Sequence, residues 1–75
     1  MTDKVLVVED DIDIANLIRV NLVELGIEIE HEIDGQFALK KALDKHYSVL
    51  LLDIMLPGMS GLDICRQVRE KKPEQ

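Results

Sequence analysis

The chain has little of what usually steadies a small domain from outside its core. It carries a single cysteine, Cys65, so no internal disulfide can form. It has no tryptophan, and Phe37 and Tyr47 are its only aromatics, too few to build a surface on which nucleobases stack. Basic residues are also short: nine Lys and Arg stand against fifteen Asp and Glu, a net charge of -6. Binding to duplex nucleic acid through phosphate neutralisation is therefore excluded, and no direct nucleic-acid contact is expected. Met1, Thr2, Asp3 and Lys4 precede only four consecutive apolar residues. That gives no signal-peptide pattern and nothing near the roughly 20 apolar residues that span a membrane. A lone cysteine without an export signal suits a reducing cytoplasm, where the protein is expected to reside.

What is present is aliphatic. Eleven Leu, eight Ile and seven Val among 75 residues are too many for a disordered chain and ask for a core. The length allows one small domain, residues 1–75, with no linker or low-complexity segment. Such a chain buries only about 60% of the surface its unfolded form exposes, so its stability alone is marginal.

The pattern alternates two periodicities. Val5 to Val8 is a continuous apolar run closing on Glu9, Asp10 and Asp11, as expected of a strand buried on both faces. Ile14, Leu17, Ile18, Leu22 and Leu25 then form one helical stripe, with Asp11 or Asp13 at its start and Gly26 in the left-handed position at its end. Ile27, Ile29, His31 and Ile33 alternate with Glu28, Glu30 and Glu32, an edge strand with one charged face. Asp34-Gly35 is turn chemistry, followed from Phe37 to Lys45 by a short helix striped by Ala38, Leu39, Ala42 and Leu43. Tyr47 to Leu52 is the most apolar run and closes on Asp53. After a loop containing Pro57, Gly58, Ser60 and Gly61, a third helix is marked by Leu62, Cys65 and Val68. Strand-helix units joined this tightly make right-handed parallel crossovers, hence an α/β open parallel sheet. Helix one is expected on one face and the other two helices on the opposite face.

In such a sheet the ligand crevice lies at the carboxyl ends of the strands, where strand order reverses. If strands one and three are neighbours, Glu9, Asp10 and Asp53 converge there. Three carboxylates together need a cation, and hard oxygen donors favour Mg²⁺. One of them could equally act as a nucleophile toward phosphorus, giving an acyl phosphate.

Val7-Val8-Glu9-Asp10 together with Leu52-Asp53-Ile54-Met55-Leu56-Pro57-Gly58-Met59-Ser60-Gly61 resembles the receiver domain of two-component response regulators. The resemblance implies a flavodoxin-like (CheY-like) sheet of order 2-1-3-4-5, of which this chain supplies 2-1-3. It implies that Asp53 is the phosphoacceptor, receiving a phosphoryl group from a sensor histidine kinase. It implies Mg²⁺ held by Asp10, Asp53 and the backbone carbonyl of Met55, with Glu9 acting through water, and a loop shaped by Pro57 and Gly61. The loop wording looks most like regulators with a winged-helix output, so control of transcription is expected, by a phosphoacceptor module that is not itself an enzyme.

The family's fourth and fifth strands, its switch hydroxyl and aromatic, and its phosphate-pairing lysine have no counterpart in these residues; Lys4, Lys71 and Lys72 lie in the wrong segments and read as solvated surface charge. The expectation is a truncated receiver, impaired in switching, with Mg²⁺ binding weakened and phosphorylation slow or absent. Strand three becomes an apolar, uncharged edge, and covering 400 to 600 Å² beside it would contribute roughly 10 to 15 kcal/mol. A homodimer that completes the sheet around strand three is expected, with Val20 and Val23 of helix one as further contact points.

Two rivals remain. One is a self-associating structural half of the same fold. The other is a Mg²⁺-dependent phosphohydrolase, which needs a second acid two residues beyond the nucleophile, where this chain has Met55. His31 and His46 share no metal-ligand spacing with each other or with Cys65 and are expected at the solvent or at a strand edge. Cys65 is expected as a small core residue.

Overall fold

A computed structural model describes residues 3–54 and 56–73. Strand β1 (Lys4–Val8) is followed by helix α1 (Ile12–Val23), β2 (Glu28–Glu32), α2 (Gly35–Asp44), β3 (Val49–Leu52) and α3 (Gly61–Lys71). The three strands form one parallel sheet of order β2-β1-β3. Val5 stands opposite Ile29 on one side and Val49 on the other, so β1 is central.

Alternation along β1 supplies both faces of the sheet. Leu6 and Val8 join Ala38 and Ala42 of α2, Tyr47, and Ile64 and Val68 of α3 in a fully buried cluster. Leu39, Leu43, Leu50, Leu52, Leu56 and Met59 close around it. Val5 and Val7 point to the opposite face, the side of Ala15 and Ile18 of α1, as the expected split of the helices requires.

Each helix begins on a side chain that takes up free N–H groups of its first turn. Asp11 accepts from Asp13 N at 2.9 Å and Ile14 N at 3.2 Å, and Asp34 from Gln36 N at 2.8 Å and Phe37 N at 3.3 Å. Ser60 accepts from Asp63 N at 3.2 Å and donates to the Asp63 carboxylate at 3.0 Å. Such caps contribute about 1 kcal/mol each. Gly26, after α1, has φ +76°, the left-handed conformation expected of it.

Three expectations from sequence need correction. In α1 the sheet-facing positions are Ala15, Ile18 and Leu22, while Ile14 and Leu17, and Leu25 just beyond the helix, are exposed. The periodicity was apolar around too much of the helix to fix its rotation, and α1 also turns Ile12, Val20 and Val23 outward. In α3 the buried pair is Ile64 and Val68; Leu62 is exposed and Cys65 half-buried. The charged face expected of β2 is present and is paired with lysines. Glu30 lies among Lys4 (2.8 Å), Lys45 (3.6 Å) and Lys41 (3.9 Å) and accepts the Tyr47 hydroxyl at 3.1 Å, while Glu32 pairs with Lys41 at 3.3 Å. The Lys4 hydrogen bond, reinforced by the Tyr47 hydroxyl, holds the Glu30 carboxyl below its ordinary pKa against the opposing effect of desolvation. Finally, Lys72 is not solvated surface charge: its ammonium donates to the carbonyls of Ala42 (2.8 Å) and Lys45 (2.6 Å), tying the end of α3 to the end of α2, where a cation suits the helix dipole.

β3 lies at the sheet's other edge and pairs, among the described residues, with β1 alone. Val49 and Leu51 on the α1 side remain 47% and 38% exposed, because α1 lies against β2 rather than over β3.

Candidate functional site

The sheet ladder itself carries the acidic residues to one place. Glu9 N–H donates to Glu32 O at 3.1 Å, extending the β1–β2 pairing one residue past the strand, and Asp53 N–H donates to Val8 O at 3.0 Å, doing the same between β3 and β1. The carboxylates of Glu9, Asp10 and Asp53 therefore emerge side by side, each offering an oxygen within 4.8 Å of the others. Glu9 and Asp53 are half-buried and Asp10 is exposed. Below them Val7, Val8, Ile18, Leu51 and Leu52 line an open recess of about 300 Å³ together with Glu9 and Asp53. An apolar lining of this kind lowers the local dielectric and strengthens any charge interaction at its mouth.

The electrostatics favour a cation. The N–H of Asp11 bonds to Glu9 Oε1 at 3.1 Å and lowers the Glu9 pKa, yet desolvation and the negative charges of Asp53 and Asp10 outweigh it and leave the carboxyl above its ordinary value. A bound divalent ion would remove that repulsion. Three carboxylates with oxygens this close, all hard donors, fit a divalent ion such as Mg²⁺, which would be held by one or two of them directly with water completing its shell. The site residues expected from sequence are thus together, except that Met55 lies outside the described residues.

The loop between β3 and α3 is held by contacts that only glycine permits. Gly61 N–H donates to Ile54 O at 3.1 Å, and a Cβ on Gly61 would fall 2.0 Å from Asp53 O. Gly35, the first residue of α2, donates to Pro57 O at 3.0 Å, and a Cβ there would meet Met59 O at 2.3 Å. The starts of α2 and α3 are therefore packed directly on the segment that follows Asp53. A loop-shaping role for Gly61 was implied by the resemblance to receiver domains; that of Gly35, expected only as turn chemistry, was not.

His31 lies on the edge strand β2, one of the two places expected for it, but its contact was missed: it is half-buried, and its Nε2 lies 2.8 Å from Glu9 O. Its partner is 22 residues away in sequence and is a backbone atom, so no spacing of ligand-type residues could have signalled it. His46, by contrast, is exposed as expected.

Comparison with known proteins agrees with this geometry. The family model described as the response regulator receiver domain matches residues 5–75, and the chain belongs to that family. Response regulator ArlR of Staphylococcus saprophyticus is 42% identical over 69 residues, covering 92% of this chain and 31% of its own length. Transcriptional regulatory protein ResD of Bacillus subtilis is 42% identical over 69 residues, covering 92% of this chain and 29% of its own. The chain thus spans less than a third of the length of these relatives. Among solved structures, response regulator protein TrrA from Thermotoga maritima in complex with Mg²⁺-BeF superposes with a TM-score of 0.91 at 39% identity, over 96% of this chain and 63% of that one. The complex of histidine kinase ThkA with TrrA gives 0.89 at 38%, over 97% and 63%. The fold is that of CheY-like receivers, as the sequence resemblance implied.

Proposed function

We propose that this segment is the phosphoacceptor part of a response regulator that acts in the cytoplasm. Asp53 would receive the phosphoryl group of a sensor kinase's phosphohistidine: a carboxylate oxygen attacks phosphorus, the P–N bond breaks, and its electron pair and a proton go to the imidazole. The observation that carries this reading is the meeting of Glu9, Asp10 and Asp53 at the carboxyl ends of adjacent parallel strands, oxygens within 4.8 Å. Asp10, Asp53 and the carbonyl of Met55 would hold Mg²⁺ directly, and Glu9 through water. When bound, Mg²⁺ would neutralise charge developing on the phosphoryl oxygens. Glu9 and Asp10 then act as a fixed acidic frame, and Asp53 as the one nucleophile. The segment accepts the group without turning over a substrate, so it is not an enzyme.

The solved complex of ThkA with TrrA supports a histidine kinase as the donor, and the name of ResD supports transcription as the output of the whole protein. The output would come from residues other than these, and neither nucleic acid nor membrane is a direct partner of the segment. As a separate chain it would associate as a homodimer through the β3 edge, where Val49 and Leu51 stand exposed beside backbone that no described strand pairs.

Transfer from a phosphorylated histidine kinase domain tests the reading. Loss of label from the kinase with its appearance on this chain, slower than on a complete receiver and abolished by Asp53→Asn and by chelation of Mg²⁺, is the expected result. Label that stays on the kinase, or moves equally well to the Asp53→Asn variant, overturns it.

A further inference from the structure

Glu9 is more tightly specified than its place in a loop requires. Its N–H is fixed by Glu32 O at 3.1 Å and its side chain by Asp11 N at 3.1 Å. Its carbonyl oxygen is taken by the ring of His31, Nε2 to O at 2.8 Å. A carbonyl can only accept, so Nε2 must carry the proton of this bond. His31 stands opposite Val7 in the β2–β1 register, two residues before Glu9, so its ring reaches up from the edge strand to the peptide joining Glu9 to Asp10. That peptide sets the directions in which the two carboxylates leave the chain.

We infer that His31 is a positioning residue for the acidic site: by holding the Glu9–Asp10 peptide through its Nε2–H it sets the two carboxylates for a divalent cation. The inference rests on the proposed reading of Glu9, Asp10 and Asp53 as a Mg²⁺ site and adds to it a residue that touches no ligand. Hydrogen bonds between second-layer groups and the groups that meet a metal fix orientation in this way, and their loss lowers metal affinity. A purely structural histidine would affect unfolding but leave cation affinity alone.

The test is calorimetric titration of the whole chain with Mg²⁺, beside urea unfolding in Mg²⁺-free buffer and ¹⁵N spectra of the imidazole ring. His31→Phe keeps a flat ring and removes the donor. It should weaken Mg²⁺ binding on the order of two- to tenfold, the equivalent of one hydrogen bond. His31→Gln, which keeps an N–H donor, should recover most of the loss. The wild-type ring should be protonated at Nε2. A neutral ring protonated at Nδ1 overturns the inference without any variant having to fold. So does His31→Phe with wild-type Mg²⁺ affinity, whatever happens to its stability. Wild-type protein that binds no Mg²⁺ removes the underlying reading and the inference with it, and is told apart from the other outcomes because it is read in the wild-type titration itself, before any variant or ring spectrum is compared.

Discussion

Gly61 begins helix α3 in contact with the backbone of Asp53: its N–H bonds Ile54 O at 3.1 Å, and a methyl group in place of its α-hydrogen would come within 2.0 Å of Asp53 O. The nucleophile proposed here is thus held from two sides, by the ladder bond from Asp53 N–H to Val8 O and by the start of the next helix.

Gly61→Ala should therefore cost more than a surface substitution. The clash is with backbone, which cannot rotate away, and overpacking of this kind costs about 1–3 kcal/mol. Urea unfolding measures the loss, and backbone amide shifts in a ¹⁵N spectrum should move most at Asp53 and Ile54. An alanine variant with wild-type stability and unmoved Asp53 would contradict this account of the loop.

Leu6 is fully buried at the centre of the cluster that joins β1, α2 and α3. Leu6→Ala should destabilise by about 2–5 kcal/mol, a large part of what a small domain has. Circular dichroism on denaturant titration reads this directly.

Two carboxylates should pull acid stability in opposite directions. Glu30, whose pKa is lowered by Lys4 first and also by Tyr47 and Lys45, contributes stability above its unfolded pKa that is lost as pH falls through its folded value. Glu9, whose pKa is raised, does the reverse: its penalty is present above its folded pKa and is relieved as pH falls below the unfolded one. Unfolding from about pH 7 to about pH 3 should show a shallower acid loss in Glu30→Gln and a steeper one in Glu9→Gln.

At the alkaline end Tyr47 controls a separate transition. Burial first, and then its bond to the Glu30 carboxylate, push the phenol up to about 12 from an ordinary 10.0. The stability it gives is complete below the unfolded value and is lost as pH rises through the folded one. Tyr47 is the only tyrosine and there is no tryptophan, so tyrosinate absorbance reports it alone. The absorbance change should lag the ordinary phenol titration in folded protein, and Tyr47→Phe should flatten the pH dependence of unfolding between pH 10 and pH 12.

Leu51→Glu should disperse self-association through the β3 edge, while Asp53→Asn should leave it intact. Sedimentation separates the two; a wild-type chain that runs as a compact monomer rules out the edge-paired dimer.

How far the sequence could be read follows from where each signal sits. Strand order, and with it the meeting of Glu9, Asp10 and Asp53, was implied by the resemblance to receiver domains, while the alternation of strands and helices and the acid closing β1 and β3 were legible in runs and termini. The rotation of α1 was not, because Ile12, Ile14, Leu17, Val20 and Val23 leave too little polar contrast around it. Nor were the contacts of His31 with Glu9 O and of Lys72 with Ala42 O, since in both the acceptor is a backbone carbonyl, which has no identity in sequence. The ion pairs of Glu30 were hidden for a related reason. Alternation marks which face a glutamate occupies, not that α2 brings Lys41 and Lys45 over it.

The central claim, that Asp53 is the phosphoacceptor of a carboxylate-framed Mg²⁺ site, is tested most directly by peptide-mapped mass spectrometry after incubation with a small acyl phosphate donor. The account predicts one phosphoryl group, on Asp53, formed with Mg²⁺ and lost with chelator, in Asp53→Asn and, in large part, in Asp10→Asn. A phosphoryl group on another residue, or on Asp53 at the same rate without Mg²⁺, would contradict it.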